Sequence, residues 1–360
     1  MKLFAVLFVM IGFLCMTSSY GFRMKSGSSL RNRLTKQFAT NTKSVVPTQT
    51  KKLLGADDLM KTTDVFIFDC DGVIWKGDSL IAGVPDVLAR LRKLGKMVFF
   101  VTNNSTKSRK GYLKKFQSLG LDVDPKEIFS SSFAAAAYLE QNPLPAGKKV
   151  YIIGQEGIGE ELDLLGIPHF GGVADADKKI KIGPGVKVEH DHDVGAVIVG
   201  FDQNINYFKI QYAQLCINEN PGCKFIATNL DAVTHLTDEQ EWAGNGSMVG
   251  AIKGCTGQEP IVVGKPSALM IDYIVDKFKV QRPRICMVGD RLDTDMAFGH
   301  AGGYAARLLV LTGVTGEGDL AALVGGEPTA PTHVMASVGD FAAWLAPASG
   351  EQEGAGAGGR

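Results

Sequence analysis

The chain has 360 residues, 45% hydrophobic and 21% charged, with 38 basic and 38 acidic side chains. That length suggests about two domains, and that balance excludes bulk disorder, collagen and coiled coil. The charge is unevenly placed: residues 1–56 hold nine Lys or Arg and no acid, which leaves 29 bases against 38 acids, a net of −9 that argues against nonspecific nucleic-acid binding.

Leu3 to Cys15 is an unbroken apolar run of thirteen residues, short of the roughly twenty that span a bilayer. It suits the apolar region of a signal peptide, with Ser19 and Gly21 as small residues before a cut at Phe22. Residues 22–56 are rich in Ser, Thr, Lys and Arg, a transit-peptide composition. A signal followed by a transit-like stretch, with Phe at the junction, resembles the two-part leaders that direct proteins into complex plastids. A simple chloroplast or mitochondrial leader, or a membrane-anchored or secreted chain, are the alternatives. Residues 1–56 are therefore set apart from the fold, with no stable membrane anchor expected in the mature chain. The five later cysteines (Cys70, Cys216, Cys223, Cys255 and Cys286) are scattered without C-x-x-C and read as reduced thiols.

From residue 64 short apolar runs alternate with amphipathic ones. The periodicity predicts a strand at 65–68, helix 84–94, strand 97–101, helix 108–119 and helix 129–139. A second series follows: strand 150–153, helix 156–165, strand 196–199, helix 207–217 and strand 225–227. Strand 261–263, helix 268–278, strand 285–288, helix 294–299 and strand 308–311 return to the first style. This alternation predicts an α/β fold with a doubly wound parallel sheet. The tail from Pro347 is low-complexity and reads as disordered.

Four motifs lie at the carboxyl ends of predicted strands, where open α/β sheets place their sites. VFIF runs into Asp69-Cys70-Asp71-Gly72, two carboxylates at i and i+2 with a glycine to break the strand. MVFFV ends in Thr102-Asn103-Asn104-Ser105, a run of donors before a helix start that would favour an anion or simply cap the helix. PIVVG ends in Gly264-Lys265-Pro266, which offers a surface lysine or a fixed cation in the pocket. ICMV ends in Gly289-Asp290-Arg291-Leu292-Asp293-Thr294-Asp295, three acids in six residues that could also be a charged helix start. Together they say more. Asp69, Asp71 and Asp290 gathered at one edge would repel one another unless a partner joins them. A hard cation with oxygen ligands fits, and Mg²⁺ suits a site of few carboxylates, waters and a phosphate oxygen. A nucleophilic carboxylate, a second carboxyl, a metal and a phosphate cradle point to phosphoryl transfer. The glycine runs at 154–159 and 244–247 lack the strand, spacing and downstream acid of a dinucleotide loop. Cys70, between the two acids, reads as core packing.

These motifs resemble those of the haloacid-dehalogenase-like phosphatases, in order and at strand ends. The segments FDCDGVIW, FVTNNSTKSR, VGFDQNINYFK, VVGKPS and MVGDRLDTDM are similar to the phosphoglycolate phosphatase and 4-nitrophenylphosphatase branch, above all its plant and algal plastid members. The resemblance covers about residues 60–320. It implies a Rossmann-like core at 57–145 and 259–346, an inserted α/β cap at 146–258, and a homodimer formed through the cap. It implies Asp69 as nucleophile and Asp71 as acid and then base. Mg²⁺ would be held by Asp69, the Asp71 carbonyl and Asp290. Thr102, Asn103, Asn104 and Lys265 would bind or support the phosphoryl group, and Asp295 would hold the metal through water or orient Lys265. Asp71 must begin protonated, so partial burial is expected to raise it. The substrate implied is 2-phosphoglycolate, in photorespiration; a broader phosphatase for pyridoxal phosphate, glycerol phosphate or aryl phosphates is the alternative. A non-catalytic scaffold on the same fold is a third, disfavoured because both acids of the first motif are present. Asn204 stands where several relatives carry His or Tyr. The donor for the glycolate carboxylate is expected in the cap loop at 228–248, with His235 a candidate.

Overall fold

The computed structural model describes residues 51–52, 57–234, 240–323 and 327–344. Residues 1–50 and 53–56 of the signal and transit-like segments, the tail from 347 and His235 lie outside the described residues.

Two parallel sheets carry the fold. The first has seven strands, in the order Lys51–Lys52, His333–Met335, Ala306–Val310, Ile285–Gly289, Val65–Phe68, Met97–Thr102 and Ile128–Ser130. Every neighbouring pair in it is parallel. Its central strands are apolar on both sides, as a sheet covered by helices on each face requires. Phe66, Phe68, Val98, Phe100, Val288 and Leu308 pack on one face. Val65, Ile67, Phe99, Val101 and Met287 pack on the other.

The second sheet has five strands, in the order Ile261–Val262, Lys224–Ala227, Val194–Val199, Lys149–Ile153 and His169–Gly171, all parallel. One of its faces, with Tyr151, Val197 and Phe225, packs on helix Tyr207–Glu219 and helix Asn245–Thr256. The other face, with Ile152, Ile198 and Ile226, shares a continuous apolar cluster with the first sheet. Helix Ser131–Gln141 sits in that shared cluster, and its run Ala134–Ala137 is buried throughout. Small side chains let layers on both sides approach it.

The architecture is the expected mixed α/β one, with parallel sheets, and the differences are local. Ile128–Ser130 is a strand before the helix, because Ser130 ends the strand and then caps the helix by accepting from Phe133 N–H at 3.3 Å. Leu292–Met296 is a π-helical turn before a short helix Ala297–Ala301. Ile261–Val262, grouped by sequence with the first series, hydrogen-bonds instead to Ile226 and Ala227 of the second sheet. Lys51–Lys52, set apart as leader, pairs with His333 and Val334 at the edge of the first sheet. Among the described residues no helix is long and apolar enough to cross a membrane.

Candidate active site

The carboxyl ends of four first-sheet segments open on a cavity of about 610 Å³. Asp69, Asp71, Thr102, Asn103, Asn104, Lys265 and Asp290 all line it. Asp295, the remaining site residue expected from sequence, is completely buried behind Lys265.

Asp69 follows Val65–Phe68 and is fixed by its own N–H, which donates to Val288 O at 2.9 Å. Its Oδ1 accepts from Lys265 Nζ; among the described residues no group donates to Oδ2. Burial pushes its carboxyl well above the usual range; Lys265 opposes this, and Asp295, Asp290 and Asp71 add to it. Asp71 stands exposed at the rim, its Oδ1 accepting from Trp75 Nε1 at 2.8 Å. The burial expected of Asp71 is therefore absent; of the two acids in the first motif, Asp69 is the buried one. Directly after Asp71 the chain turns on Gly72, whose φ of 83° belongs to the left-handed region. A Cβ there would also lie 2.7 Å from Asp290 Oδ2, so the turn brings the first and fourth motifs together.

Asp290 follows strand Ile285–Gly289 and is only 2% exposed. Its Oδ2 accepts from Val314 N–H at 2.7 Å, while its Oδ1 is buried without a partner among the described residues. Burial first, then the Asp295 charge, push this carboxyl up to about 7. Carboxylate oxygens of Asp69, Asp290 and Asp295 lie within 4.8 Å of one another. A crowded acid set with one orphaned buried oxygen is what a hard cation would satisfy.

Asp295 is committed to the protein. Its Oδ1 accepts from Lys265 Nζ at 2.7 Å, and its Oδ2 accepts from the N–H groups of Asp290 and Arg291 at 3.1 and 3.0 Å. Of the two roles expected for it, orienting Lys265 is the one its contacts serve. Lys265 is buried and gives its three donors to Asp69, Asp295 and the Val101 carbonyl. Burial alone would lower its amine, but the Asp295 and Asp69 carboxylates outweigh that and hold the ammonium well above its ordinary range.

Asn103 is spent on structure. Its Oδ1 accepts from Lys265 N–H at 2.8 Å, and its Nδ2 donates to Asp231 Oδ1 at 3.0 Å and Lys265 O at 3.1 Å. Asn104 Oδ1 accepts from Thr106 N–H at 2.9 Å, and Thr102 Oγ1 accepts from Asn104 N–H at 3.1 Å. Both asparagines thus have their side chains engaged by the protein.

Several cavity residues were not singled out in the sequence, although Asn229 and Asp231 fall within the loop at 228–248 where a substrate donor is expected. Trp75, Phe201, Asn229, Asp231 and Arg291 all line the wall. Asn229 and Asp231 follow strand Lys224–Ala227 of the second sheet, so the strand-end rule applied to that sheet would have found them. Arg291 was hidden among the acids of its motif. Second-sheet elements also touch the loop after Thr102: Phe201 N–H donates to Ser105 Oγ at 3.3 Å, and Gly157 N–H to Thr106 O at 3.2 Å. The buried Glu161 carboxylate accepts from Arg109 N, Nε and Nη2, at 2.6 to 3.2 Å.

A two-sheet α/β chain with a strand-end aspartate, a buried lysine and an acid cluster is a phosphoryl-transfer scaffold of a known kind. The haloacid dehalogenase-like hydrolase profile matches residues 66–168, and a HAD-hydrolase-like profile matches residues 262–341. Over 305 residues, 84% of each chain, the sequence is 58% identical to "Phosphoglycolate phosphatase 1A, chloroplastic" of Arabidopsis thaliana. It is 38% identical to a 4-nitrophenylphosphatase of Schizosaccharomyces pombe, covering 78% of this chain and 93% of that one. Among solved structures, a glycerol phosphate phosphatase of Mycobacterium tuberculosis in complex with magnesium superposes with a TM-score of 0.65 at 26% identity, covering 80% of this chain and 77% of that one. The chain belongs to the haloacid dehalogenase-like hydrolases.

Proposed function

We propose that this chain is a Mg²⁺-dependent phosphatase that hydrolyses 2-phosphoglycolate to glycolate and phosphate through an aspartyl-phosphate at Asp69. The observation that carries it is the convergence of Asp69, Lys265 and Asp290 beside Asp71 in one cavity, with Asp290 Oδ1 buried and unpartnered. The 58% identity to a chloroplastic phosphoglycolate phosphatase supports the substrate.

Asp69, Asp290 and the Asp71 carbonyl are the groups that would hold the ion. Bound magnesium would offset the crowded carboxylates and withdraw charge from the phosphoryl oxygens. The remaining chemistry belongs to the chain. Lys265 grips Asp69 Oδ1, which leaves Oδ2 to attack phosphorus. As the Asp69–phosphorus bond forms and the ester bond breaks, Asp71 gives its proton to the leaving glycolate oxygen. Asp71 is exposed to the cavity and steered by Trp75 Nε1, so it can reach that oxygen. It then takes a proton from the water that attacks the aspartyl-phosphate, which frees phosphate and restores Asp69. The buried Lys265 charge, held beside Asp69, offsets the charge of the anion throughout.

The plastid is the compartment this reading favours, on the composition of residues 1–56 and the chloroplastic relative. A homodimer formed through residues 146–258 belongs to the same proposal. So does the division into a core at 57–145 and 259–346 and a cap between. A second reading, a broader small-molecule phosphatase, draws on the cavity, which is far larger than so small an ester. The test is phosphate release by protein that retains the Lys51–Lys52 strand, with and without Mg²⁺, on 2-phosphoglycolate, pyridoxal phosphate, glycerol phosphate and 4-nitrophenyl phosphate. A kcat/KM for 2-phosphoglycolate at least tenfold above the others is expected. Comparable values would favour the broader enzyme, and no Mg²⁺-dependent release would refute both.

A further inference from the structure

The sequence placed the reader of the substrate carboxylate in the cap loop; the cavity offers a different group. A two-carbon substrate keeps its carboxylate close to phosphorus. Its reader must therefore sit beside the phosphoryl anchors, not far out in the second sheet. Among the described residues three cations line the cavity: Lys76, Lys265 and Arg291. Lys265 has given all three donors to Asp69, Asp295 and Val101 O. Lys76 is exposed, on the two-residue strand Trp75–Lys76.

Arg291 is different. It adjoins Asp290, and its backbone N–H is pinned to Asp295 Oδ2 at 3.0 Å, so it is fixed to the loop that anchors the reaction. Its side chain is 15% exposed. Nε and Nη2 donate to Asp293 at 3.1 and 2.9 Å, and Nη1 donates to Val233 O at 3.4 Å. A guanidinium has five N–H groups, so two of the five have no acceptor among the described residues. Asp293 is 68% exposed, and a pair with so exposed a carboxylate offsets little of the cost of drawing a guanidinium out of water. Val233 belongs to the short hairpin Val233–Thr234 with Trp242–Ala243, which also lines the cavity. The arginine thus bridges the fourth motif and the overhanging loop with donors to spare.

We propose that Arg291 reads the carboxylate of the substrate with these remaining donors, and so sets the preference for a phosphorylated 2-hydroxy acid over a neutral phosphate ester. This deepens the proposed function and rests on it. The planar fork suits a carboxylate better than an ammonium would.

The experiment compares kcat/KM for 2-phosphoglycolate and for 2-hydroxyethyl phosphate, which has the same carbon count and no carboxylate, in wild type, R291M, R291K and K76M. In R291M the ratio of the two values is expected to fall about 10- to 100-fold, the worth of a charge-assisted hydrogen bond. In R291K it should fall by less, because a point charge survives without the fork, and this variant carries the test if R291M fails to fold. K76M should move the ratio less than threefold. Equal losses on both substrates in the Arg291 variants would make the residue structural and overturn the inference, as would a collapse of the ratio in K76M alone. A wild type that releases phosphate without preferring the carboxylate would instead refute the proposed substrate, and the inference with it.

Discussion

Replacing Asp290 with Asn turns the electrostatics of the site into a measurable stability. Asp290 is buried, with Oδ2 on the Val314 N–H and Oδ1 unpartnered, and its carboxyl is pushed from its ordinary 3.8 up to about 7 by burial and then by Asp295. An acid raised in this way binds its proton more tightly in the folded chain than in the unfolded one. The native state therefore loses stability as pH rises from about 4 to about 7, and the full penalty stands above 7. Keeping the group ionised at about pH 8 costs roughly 4 kcal/mol, three pH steps at about 1.4 kcal/mol each. Asp69 and Asp295 crowd the same volume and share that strain. The gain expected for metal-free Asp290→Asn is therefore about 2–4 kcal/mol, since the amide oxygen can still accept from Val314. The assay is urea unfolding in a chelator. The variant should unfold at a higher midpoint than wild type at about pH 8, and the gap should narrow at about pH 5. Magnesium should reverse the order, because an ion that binds only the folded site stabilises wild type by mass action and has lost a ligand in the variant. The variant should also lose turnover. A metal-free variant weaker than wild type at about pH 8, or one that gains as much from magnesium, would refute the reasoning.

Lys265→Met removes the cation that joins Asp69 to Asp295; kcat/KM should fall about 10²- to 10³-fold in steady-state assays, as when one preorganised charge is withdrawn from a transition state. Glu161→Leu strips the buried partner from Arg109 and leaves the Arg109 N–H without its acceptor. A loss of about 3–5 kcal/mol is expected in chemical denaturation, and a loss under 1 kcal/mol would show the pair to be dispensable. Gly72→Ala forces an L side chain to a φ of 83° and a Cβ to 2.7 Å from Asp290 Oδ2, so activity and thermal midpoint should fall together.

The alternation of apolar runs was enough to place the strands that matter, because a strand buried on both faces must be continuous in sequence. Asp69 and Asp290 could be placed for the same reason: each directly follows such a strand. What stayed hidden depended on pairing across long separations. Ile261–Val262 is too short to declare which sheet it joins, and only its hydrogen bonds to Ile226 and Ala227 decide it. Lys51–Lys52 looked like leader because its composition is basic; its strand exists through His333–Met335, over 280 residues later. Asp71 was expected to be buried because its role asks for a raised acid. The Gly72 turn instead leaves it at the rim, where Trp75 holds it.

Asn103 shows why the two sheets must be considered together. Its Oδ1 and Nδ2 clasp the backbone of Lys265, while the same Nδ2 reaches Asp231 from the second sheet. Its carbonyl accepts from Asn229 Nδ2 at 2.6 Å, again from the second sheet. Lys265 in turn fixes Asp69. A shift of the loop carrying Asn229 and Asp231 therefore cannot leave Asp69 untouched, because one buried amide serves both. Burial makes that coupling strong: each of these donors, if withdrawn from its partner, would be left unsatisfied at a cost of about 1–3 kcal/mol. The second-sheet loop that carries Asn229 and Asp231 and the lysine that holds Asp69 are positioned by a single side chain, so a change in one reaches the other.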